Sequence, residues 1–531
     1  MSRPRRPNLR LSAGKRSLVE RLLAAQGHHI SPAGRIPRRS ENIPVPLSFA
    51  QQRLWFLDQW SPGSATYNSG GVLQLAGPLD VCALAQSVSE IVRRHEALRT
   101  DFDLVDGLPV QIINPHAPVP LPLSDLSCLP ERKRRAQAKR LTAAEARRPF
   151  DLSTGPLLRV HLLRLSASEH VCLLLMHHTV SDGWSISVLL RELGALYEAF
   201  RAGRPAPLAE LPVQYADFAL WQRARLDGEL LQPALDFWKQ RLDPNAAPLE
   251  LPTDYPRPPV QTFNGALHAF ALESDLTGAL KKLARAEGAT PFMVLLTAFK
   301  VLLHRYTGQT DISVGSPVAG RHQLETEPLI GCFVNTLVLR TSLVGDPSFQ
   351  EILARVRQTS LDAFAHAELP YERLIEELQP QRGLSRNPLF QVMLVLRPSP
   401  PTGFGLAGLD VTPQDLDSGT SRFELTLFLT EASDRLLCSL EYNTDLFASS
   451  FMARLSAHFA CLLKDAVEHP TKRVSELELL TDAEQHALLF EFNDTSPSTP
   501  PAPLLACLRT HLHARPDAVA LACGDAQLTR A

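Results

Sequence analysis

The segment from Val171 to Phe200 constrains the fold more than any other. Val171-Cys-Leu-Leu-Leu-Met176 is an unbroken apolar run, the pattern of a strand covered on both faces. Trp184–Phe200 then sets Ile186, Leu189, Leu190, Leu193, Tyr197 and Phe200 on one helical stripe. A doubly buried strand running into an amphipathic helix requires a layered α/β core. With 531 residues, more than one such core is expected.

The remaining pattern predicts two α/β halves of similar size, at about 43–210 and 265–480. In the first, Ser48 is placed to cap a helix over Phe49–Asp58. Helices are also predicted over Ala83–His95 and Arg132–Arg148, and a strand over Leu157–Leu165. Arg204-Pro-Ala-Pro207 breaks the chain, helices follow at Tyr215–Leu231 and Pro233–Arg241, and Pro248–Pro259 is extended. In the second half, Glu273–Glu287, Pro291–Tyr306, Phe349–His366 and Ser449–Glu468 read as helices. Ile312–Val318, Val334–Leu343, Leu389–Leu396, Glu424–Leu429 and Leu436–Tyr442 read as strands.

Composition removes several functional classes. An apolar fraction of 44% excludes a disordered chain. The near balance of 54 Lys/Arg and 56 Asp/Glu excludes a nucleic-acid binder held by bulk charge. No apolar run reaches the ~18 residues of a membrane span. The eight scattered Cys form no CxxC pair, so reduced, mostly buried thiols in a cytoplasmic protein are expected rather than disulfides or zinc. Charge is uneven. Residues 1–42 carry ten Lys/Arg against two Glu, a net +8, and the rest of the chain is −10. Leu11–Gln26 within this arm has helical spacing and is read as a targeting peptide, a docking helix or a solvated arm.

Chemistry concentrates in His177-His-Thr-Val-Ser-Asp-Gly-Trp184, between the buried strand and its helix. Two adjacent His on an extended chain point in opposite directions, which makes them poor metal co-ligands, and HExxH spacing is absent. No GxSxG elbow accompanies Ser181. What remains is acid/base or positioning work by one His, with the other His and Asp182 in structural roles.

These residues resemble the HHxxxDG signature of non-ribosomal peptide synthetase condensation domains, relatives of chloramphenicol acetyltransferase. Six further segments resemble the family's other motifs, in order: Leu47-Ser-Phe-Ala-Gln-Gln-Arg-Leu-Trp-Phe-Leu57, Arg94-His-Glu-Ala-Leu-Arg-Thr-Asp-Phe102, Tyr215-Ala-Asp-Phe-Ala-Leu-Trp-Gln222, Ile330-Gly-Cys-Phe-Val-Asn-Thr-Leu337, His366-Ala-Glu-Leu-Pro-Tyr-Glu-Arg-Leu374 and Arg386-Asn-Pro-Leu-Phe-Gln391. The resemblance implies an α/β fold of two acetyltransferase-like lobes in a V with a tunnel between them. It divides the chain into a basic arm (1–42), first lobe (43–210), second lobe (211–490), Pro-rich linker (491–503) and the start of an adenylation domain (504–531).

It also implies an activity, amide-bond formation by attack of a carrier-bound aminoacyl amine on a donor thioester. The site residues it implies are His177, His178, Asp182 and Gly183, with His178 accepting a proton or orienting the amine. Asp182 is expected to pair with an arginine of the second motif, Arg99 in preference to Arg94. Trp184, Ser185 and Asn335 are expected to line the tunnel. No cofactor or metal is expected to bind directly, because the substrates ride on phosphopantetheine arms of carrier proteins. The intact His pair argues against a cyclising relative, and the first motif against an epimerising one. The motif forms look most like the type joining an L-donor to an L-acceptor. With no carrier ahead of Met1, the donor is expected in trans, from an upstream synthetase's peptidyl carrier or, in a starter domain, from a fatty acyl-CoA or acyl carrier. The basic arm resembles a docking element. A non-catalytic recruiting domain and a free-standing CoA-dependent acyltransferase are the competing readings.

Overall fold

A computed structural model describes residues 35–40, 45–226, 231–380, 383, 385–397, 405–414, 416, 418–432, 434–494 and 503–529. The helix expected over Leu11–Gln26 lies outside the described residues, as do 495–502 of the linker. Two compact units divide at Leu479/Leu480.

The larger unit holds two lobes. In the first, β1 (Val45–Pro46) leads to helix Phe49–Trp60, β2 (Asn68–Ala76), helix Val81–Arg94, β3 (Thr100–Val105), β4 (Leu108–Ile113) and β5 (Leu123–Asp125). Helix Glu131–Ala146, β6 (Leu158–Arg164), β7 (Glu169–His177) and helix Gly183–Arg201 complete it. Ser48 caps its helix as expected. Its Oγ accepts from the Gln51 N–H at 3.2 Å, and the Gln51 side chain accepts from the Ser48 N–H at 3.0 Å, a reciprocal capping box. In β7, flanked by β2 and β6, every residue from His170 to His177 is buried, as expected of a strand covered on both faces.

The second lobe opens with helices Tyr215–Arg225 and Gln232–Arg241, then β8 (Gly265–Leu272), helices Ser274–Ala286 and Pro291–Thr307, β9 (Asp311–Val318) and β10 (Asn335–Ser342). Helices Phe349–Ala365 and Tyr371–Leu378 precede β11 (Val392–Arg397), β12 (Asp410–Gln414), β13 (Leu425–Ala432), β14 (Arg435–Asn443) and helix Ser449–Glu468. Its six-stranded sheet runs β10-β9-β11-β13-β14-β8. The helix expected over Tyr215–Leu231 ends at Arg225.

The lobes repeat one plan. β7 is antiparallel to β2 and β6, and β6 is parallel to β5. Likewise β14 is antiparallel to β8 and β13, and β13 is parallel to β11. The repeat is not self-contained. The first lobe's sheet runs β12-β2-β7-β6-β5, so β12, from the sequence of the second lobe, pairs with β2. Leu329, Ile330, Cys332, Phe333 and Leu406 also belong to the first lobe's core. A division into 43–210 and 211–490 therefore needs correcting: part of the later range builds the earlier lobe.

The second unit holds a short helix, Asp482–His486, a longer one, Leu504–Ala514, and a hairpin of β15 (Val519–Cys523) and β16 (Ala526–Thr529). Residues 480–490, expected within the second lobe, fall in this unit, and helix Asp482–His486 buries none of its side chains. The cysteines form no disulfide, and only Cys172, Cys332 and Cys438 are buried, which corrects the expectation of mostly buried thiols. Among the described residues no single helix is long and apolar enough to cross a membrane.

Candidate active site

The site forms where β7 ends. The His177 N–H donates to the Leu157 carbonyl at 3.1 Å, and the His178 N–H to the Tyr67 carbonyl at 2.9 Å. These two bonds carry the extended chain one residue beyond the ladder, so the rings take opposite sides. His177 turns inward and is 3% exposed. Its Nδ1 accepts from the Thr179 N–H at 3.3 Å and lies 2.8 Å from Thr179 Oγ1, while Phe150 meets the ring edge-on. Burial, with the neighbouring His178, pushes its pKa down to about 3, so the ring is neutral.

His178 turns outward and is half-buried. Its Nδ1 lies 3.8 Å from Cys332 Sγ. Burial first, then the charge of Arg422, lower its pKa to about 4, against the opposing pull of Asp182 and of backbone hydrogen bonds at His178 and Ser181. The loop is held from within and without: Ser181 Oγ donates to the His177 carbonyl at 3.1 Å, and Gln51 Nε2 donates to the Thr179 carbonyl at 3.3 Å.

Asp182 is the N-cap of helix Gly183–Arg201. Its Oδ1 accepts from the Ser185 N–H at 2.8 Å, from Ser185 Oγ at 2.7 Å and from Arg321 Nη2 at 3.2 Å. Its Oδ2 accepts from the Phe333 N–H at 2.9 Å. The Arg321 and Asp182 side chains are only 2% and 3% exposed. The arginine partner expected at Arg99 is thus Arg321, on the loop between β9 and β10. Arg99 begins the path into β3, on the small sheet β1-β4-β3, where it donates to the Asn114 carbonyl and lies 3.7 Å from Glu96. Arg94 is taken by Glu192 at 3.1 Å, farther along the same helix that Asp182 caps. Arg321 also donates to the Leu329 carbonyl at 2.8 Å and stacks 4.0 Å over Phe333. One arginine so shapes the loop that closes on Asp182.

Of the three residues expected to line the tunnel, Ser185 does not. It is fully buried, bonded to Asp182, Arg321 and the Gly331 backbone. Trp184 is half-buried and ties its Nε1–H to the Glu327 carbonyl at 2.9 Å. Asn335 does line a partly open cavity, together with Phe218, Trp221, Cys332, Phe333 and Glu372. Its amide is fully engaged: Nδ2 donates to Ala367 and Leu369 carbonyls at 2.9 and 2.7 Å, and Oδ1 accepts from Tyr371 and Thr336. Through Cys332 this cavity adjoins His178. Gly183 is exposed, and a Cβ there would meet no atom within 4 Å, so its contribution is open space.

Sequence reasoning missed Arg321, Phe333 and Arg422, whose local sequences carry no periodic or capping signal toward His178. The loop is further fixed by Tyr215, whose hydroxyl donates to the Cys332 carbonyl at 2.7 Å and lies 2.7 Å from Ser48 Oγ. Gly331 is required there, because a Cβ would fall 2.0 Å from the Tyr215 ring. Among the described residues no group of three or more His, Cys, Asp or Glu could hold a metal ion.

Known proteins are similar to this chain. The chain is 49% identical over 480 residues to a linear gramicidin synthase of Brevibacillus parabrevis, covering 90% of this chain and 9% of that one. It is 42% identical over 529 residues to phosphinothricin tripeptide synthetase PhsC of Streptomyces viridochromogenes, covering 98% of this chain and 48% of that one. The chain therefore spans less than half the length of either. The X-domain from teicoplanin biosynthesis superposes with a TM-score of 0.76 at 28% identity, over 84% of this chain and 100% of that domain. Because the model of the condensation domain matches residues 42–489, across both lobes and everything that converges on His178, this chain belongs to the condensation-domain family of amide-forming acyltransferases.

Proposed function

We propose that His178 serves the joining of a carrier-bound aminoacyl amine to a donor thioester, with a peptidyl carrier as donor. The observation that carries this reading is a neutral, half-exposed imidazole held beside a cavity that the second lobe lines. The amine nitrogen attacks the thioester carbon and its proton passes to the unprotonated ring nitrogen of His178. The tetrahedral intermediate collapses, the C–S bond breaks, and the leaving thiolate takes that proton back. The free amine, with an ordinary pKa of ~7.7–8.0, is partly unprotonated at neutral pH, so a base with a depressed pKa acts on a proton already acidified by C–N bond formation. Holding two tethered substrates together supplies much of the rate, since effective molarities reach ~10⁵ M or more.

Asp182 and Arg321 position the loop, His177 braces it from inside, and Gly183 keeps the passage open beside Trp184. Asn335 shapes the cavity through backbone carbonyls rather than by contact with the reacting atoms. The relatives' names, synthases of a gramicidin and of a tripeptide, support a peptidyl donor. The intact His178, Asp182 and Gly183 favour a catalytic site. Residues 503–529 support an adjoining adenylation domain: Leu504, Leu505, Leu521 and Leu528 are exposed and call for a covering core.

The test mixes the protein with an aminoacyl-loaded acceptor carrier and a peptidyl-loaded donor carrier and follows product by intact mass. Amide product is expected. Product from acyl-CoA in place of the donor carrier would make this a starter domain, and no product from any donor would leave a recruiting role.

A further inference from the structure

Arg422 lies in the loop that leads from β12 into β13, and neither the motif nor its clamp uses it. Its Nε–H donates to the Thr66 carbonyl at 3.2 Å, and its guanidinium carbon is 5.3 Å from the centre of the Tyr67 ring. Tyr67 is the residue whose carbonyl takes the His178 N–H. Both residues thus meet at the Thr66–Tyr67 segment, and the charge of Arg422 acts on the His178 ring. Its backbone is fixed: the Arg422 carbonyl accepts from Gln261 Nε2 at 3.2 Å and Asn387 Nδ2 at 3.3 Å, and the Ser421 N–H donates to Phe263 at 2.9 Å.

Among the described residues no carboxylate pairs with Arg422. The nearby Glu424 is bound at both oxygens by Arg257, at 2.7 and 2.9 Å. The other charged groups around His178 are also committed. Both Asp182 oxygens are engaged by Arg321, Ser185 and Phe333, and Arg53, which acts on Cys332, is paired to Glu372 at 3.4 Å. A half-buried cation beside a base opposes the imidazolium that forms on proton transfer. That arrangement suits a reaction only if negative charge develops between the two as the proton arrives.

We propose that Arg422 is a second catalytic residue, whose terminal N–H groups bind the donor carbonyl oxygen as it becomes an oxyanion. This rests on the amide-forming role of the site. As the amine attacks, the C=O π pair moves onto oxygen, where Arg422 meets it, while the amine proton moves to His178. On collapse the pair returns to carbon, the thiolate leaves and the imidazolium reprotonates it. During the intermediate the oxyanion lies between two cations, which removes their mutual repulsion.

The test uses the full chain, an aminoacyl-loaded acceptor carrier and two donors bearing the same acyl group. One donor is carrier-bound, and the other is an N-acetylcysteamine thioester, which lacks the phosphate of the natural arm. Arg422→Gln is expected to slow single turnover by ~10²- to 10³-fold with both donors, with little change in donor KM, and to raise the pH at which His178 titrates. A loss confined to the carrier-bound donor and seen in KM would assign Arg422 to the phosphate and overturn the proposal, as would unchanged rates. Should Arg422→Gln fail to fold, Arg422→Ala with added guanidinium ion replaces it: rescue of both donors is expected, and failure of rescue overturns the proposal. Amide formation by the wild-type protein keeps the underlying function intact whichever way the variants fall.

Discussion

The two lobes place the same three pieces in the same order and use them differently. In the first, β7 ends at His177, the next N–H donates to the Tyr67 carbonyl ahead of β2, and Asp182 caps the helix that follows. In the second, β14 ends at Asn443, the Thr444 N–H donates to the Asn264 carbonyl ahead of β8, and Ala448 occupies the N-cap of helix Ser449–Glu468. His178 thus corresponds to Thr444, and Asp182 to Ala448. Asn443 closes its own junction, donating to the Thr262 carbonyl at 2.7 Å and accepting from the Asp445 N–H at 2.9 Å. Ala448 makes no side-chain cap. The strand–loop–helix unit is therefore a scaffold that folds without the motif. The motif adds a reactive ring and a carboxylate that fastens one lobe to a loop of the other.

The largest expected contrast is at the matched pair His178 and Thr444. His178→Ala should lower the single-turnover rate of amide formation by ~10²- to 10⁴-fold with unchanged melting, and Thr444→Ala should leave the rate within two-fold. Near wild-type turnover in His178→Ala would remove both the base and the positioning roles.

The caps separate next. Asp182→Asn leaves Arg321 as an unpaired cation in a site where both side chains are at most 3% exposed, at a cost of about 3–5 kcal/mol. Melting should fall together with activity. Lost activity at unchanged melting would instead make Asp182 a direct participant in the chemistry.

His177 and Asn443 differ in pH response. His177 titrates near 3 when folded and near an ordinary 6.5 when unfolded, so the unfolded chain binds more protons between those limits. Its contribution to stability is complete above about 6.5 and is lost as pH falls toward 3. His177→Asn, which installs the second lobe's residue, should flatten the fall in urea midpoint across that window; an unchanged slope would mean that His177 is not buried neutral. Smallest is Ala448→Ser, which supplies the cap that the second lobe lacks. It should raise stability by ~1 kcal/mol with no change in rate. A loss would show that the bond from the Ala448 N–H to Asp254, at 2.8 Å, leaves no room for a capping hydroxyl.

What is legible in the sequence follows the same divide. The cap at Ser48 and the buried run of β7 are written within a few residues of themselves, and the structure places them as read; on helix Gly183–Arg201 Leu189, Leu193 and Tyr197 of the expected stripe are buried, while Ile186, Leu190 and Phe200 are only partly so. The partner of Asp182 is 139 residues away, and its identity depends on which loop of the second lobe reaches the first. Arg99, within the second motif, has the stronger claim by resemblance, but it ends the short turn Glu96–Arg99 ahead of β3 and donates to the Asn114 carbonyl instead. β12 has an exposed, weakly alternating sequence, so nothing local announces that it joins β2. Ser185 departs from expectation for a related reason: a residue next to a reactive loop faces inward or outward according to helix phase, and here its hydroxyl completes the Asp182 cluster.

The most direct test of the central claim, that the first lobe holds His178 as a neutral base, needs no substrate. Ring-carbon NMR of histidine-labelled protein, with the His178 signal assigned by its loss in His178→Ala, should show that ring titrating near 4, well below the ~6.5 of an ordinary histidine. A His178 signal that titrates with the exposed ones would contradict the account.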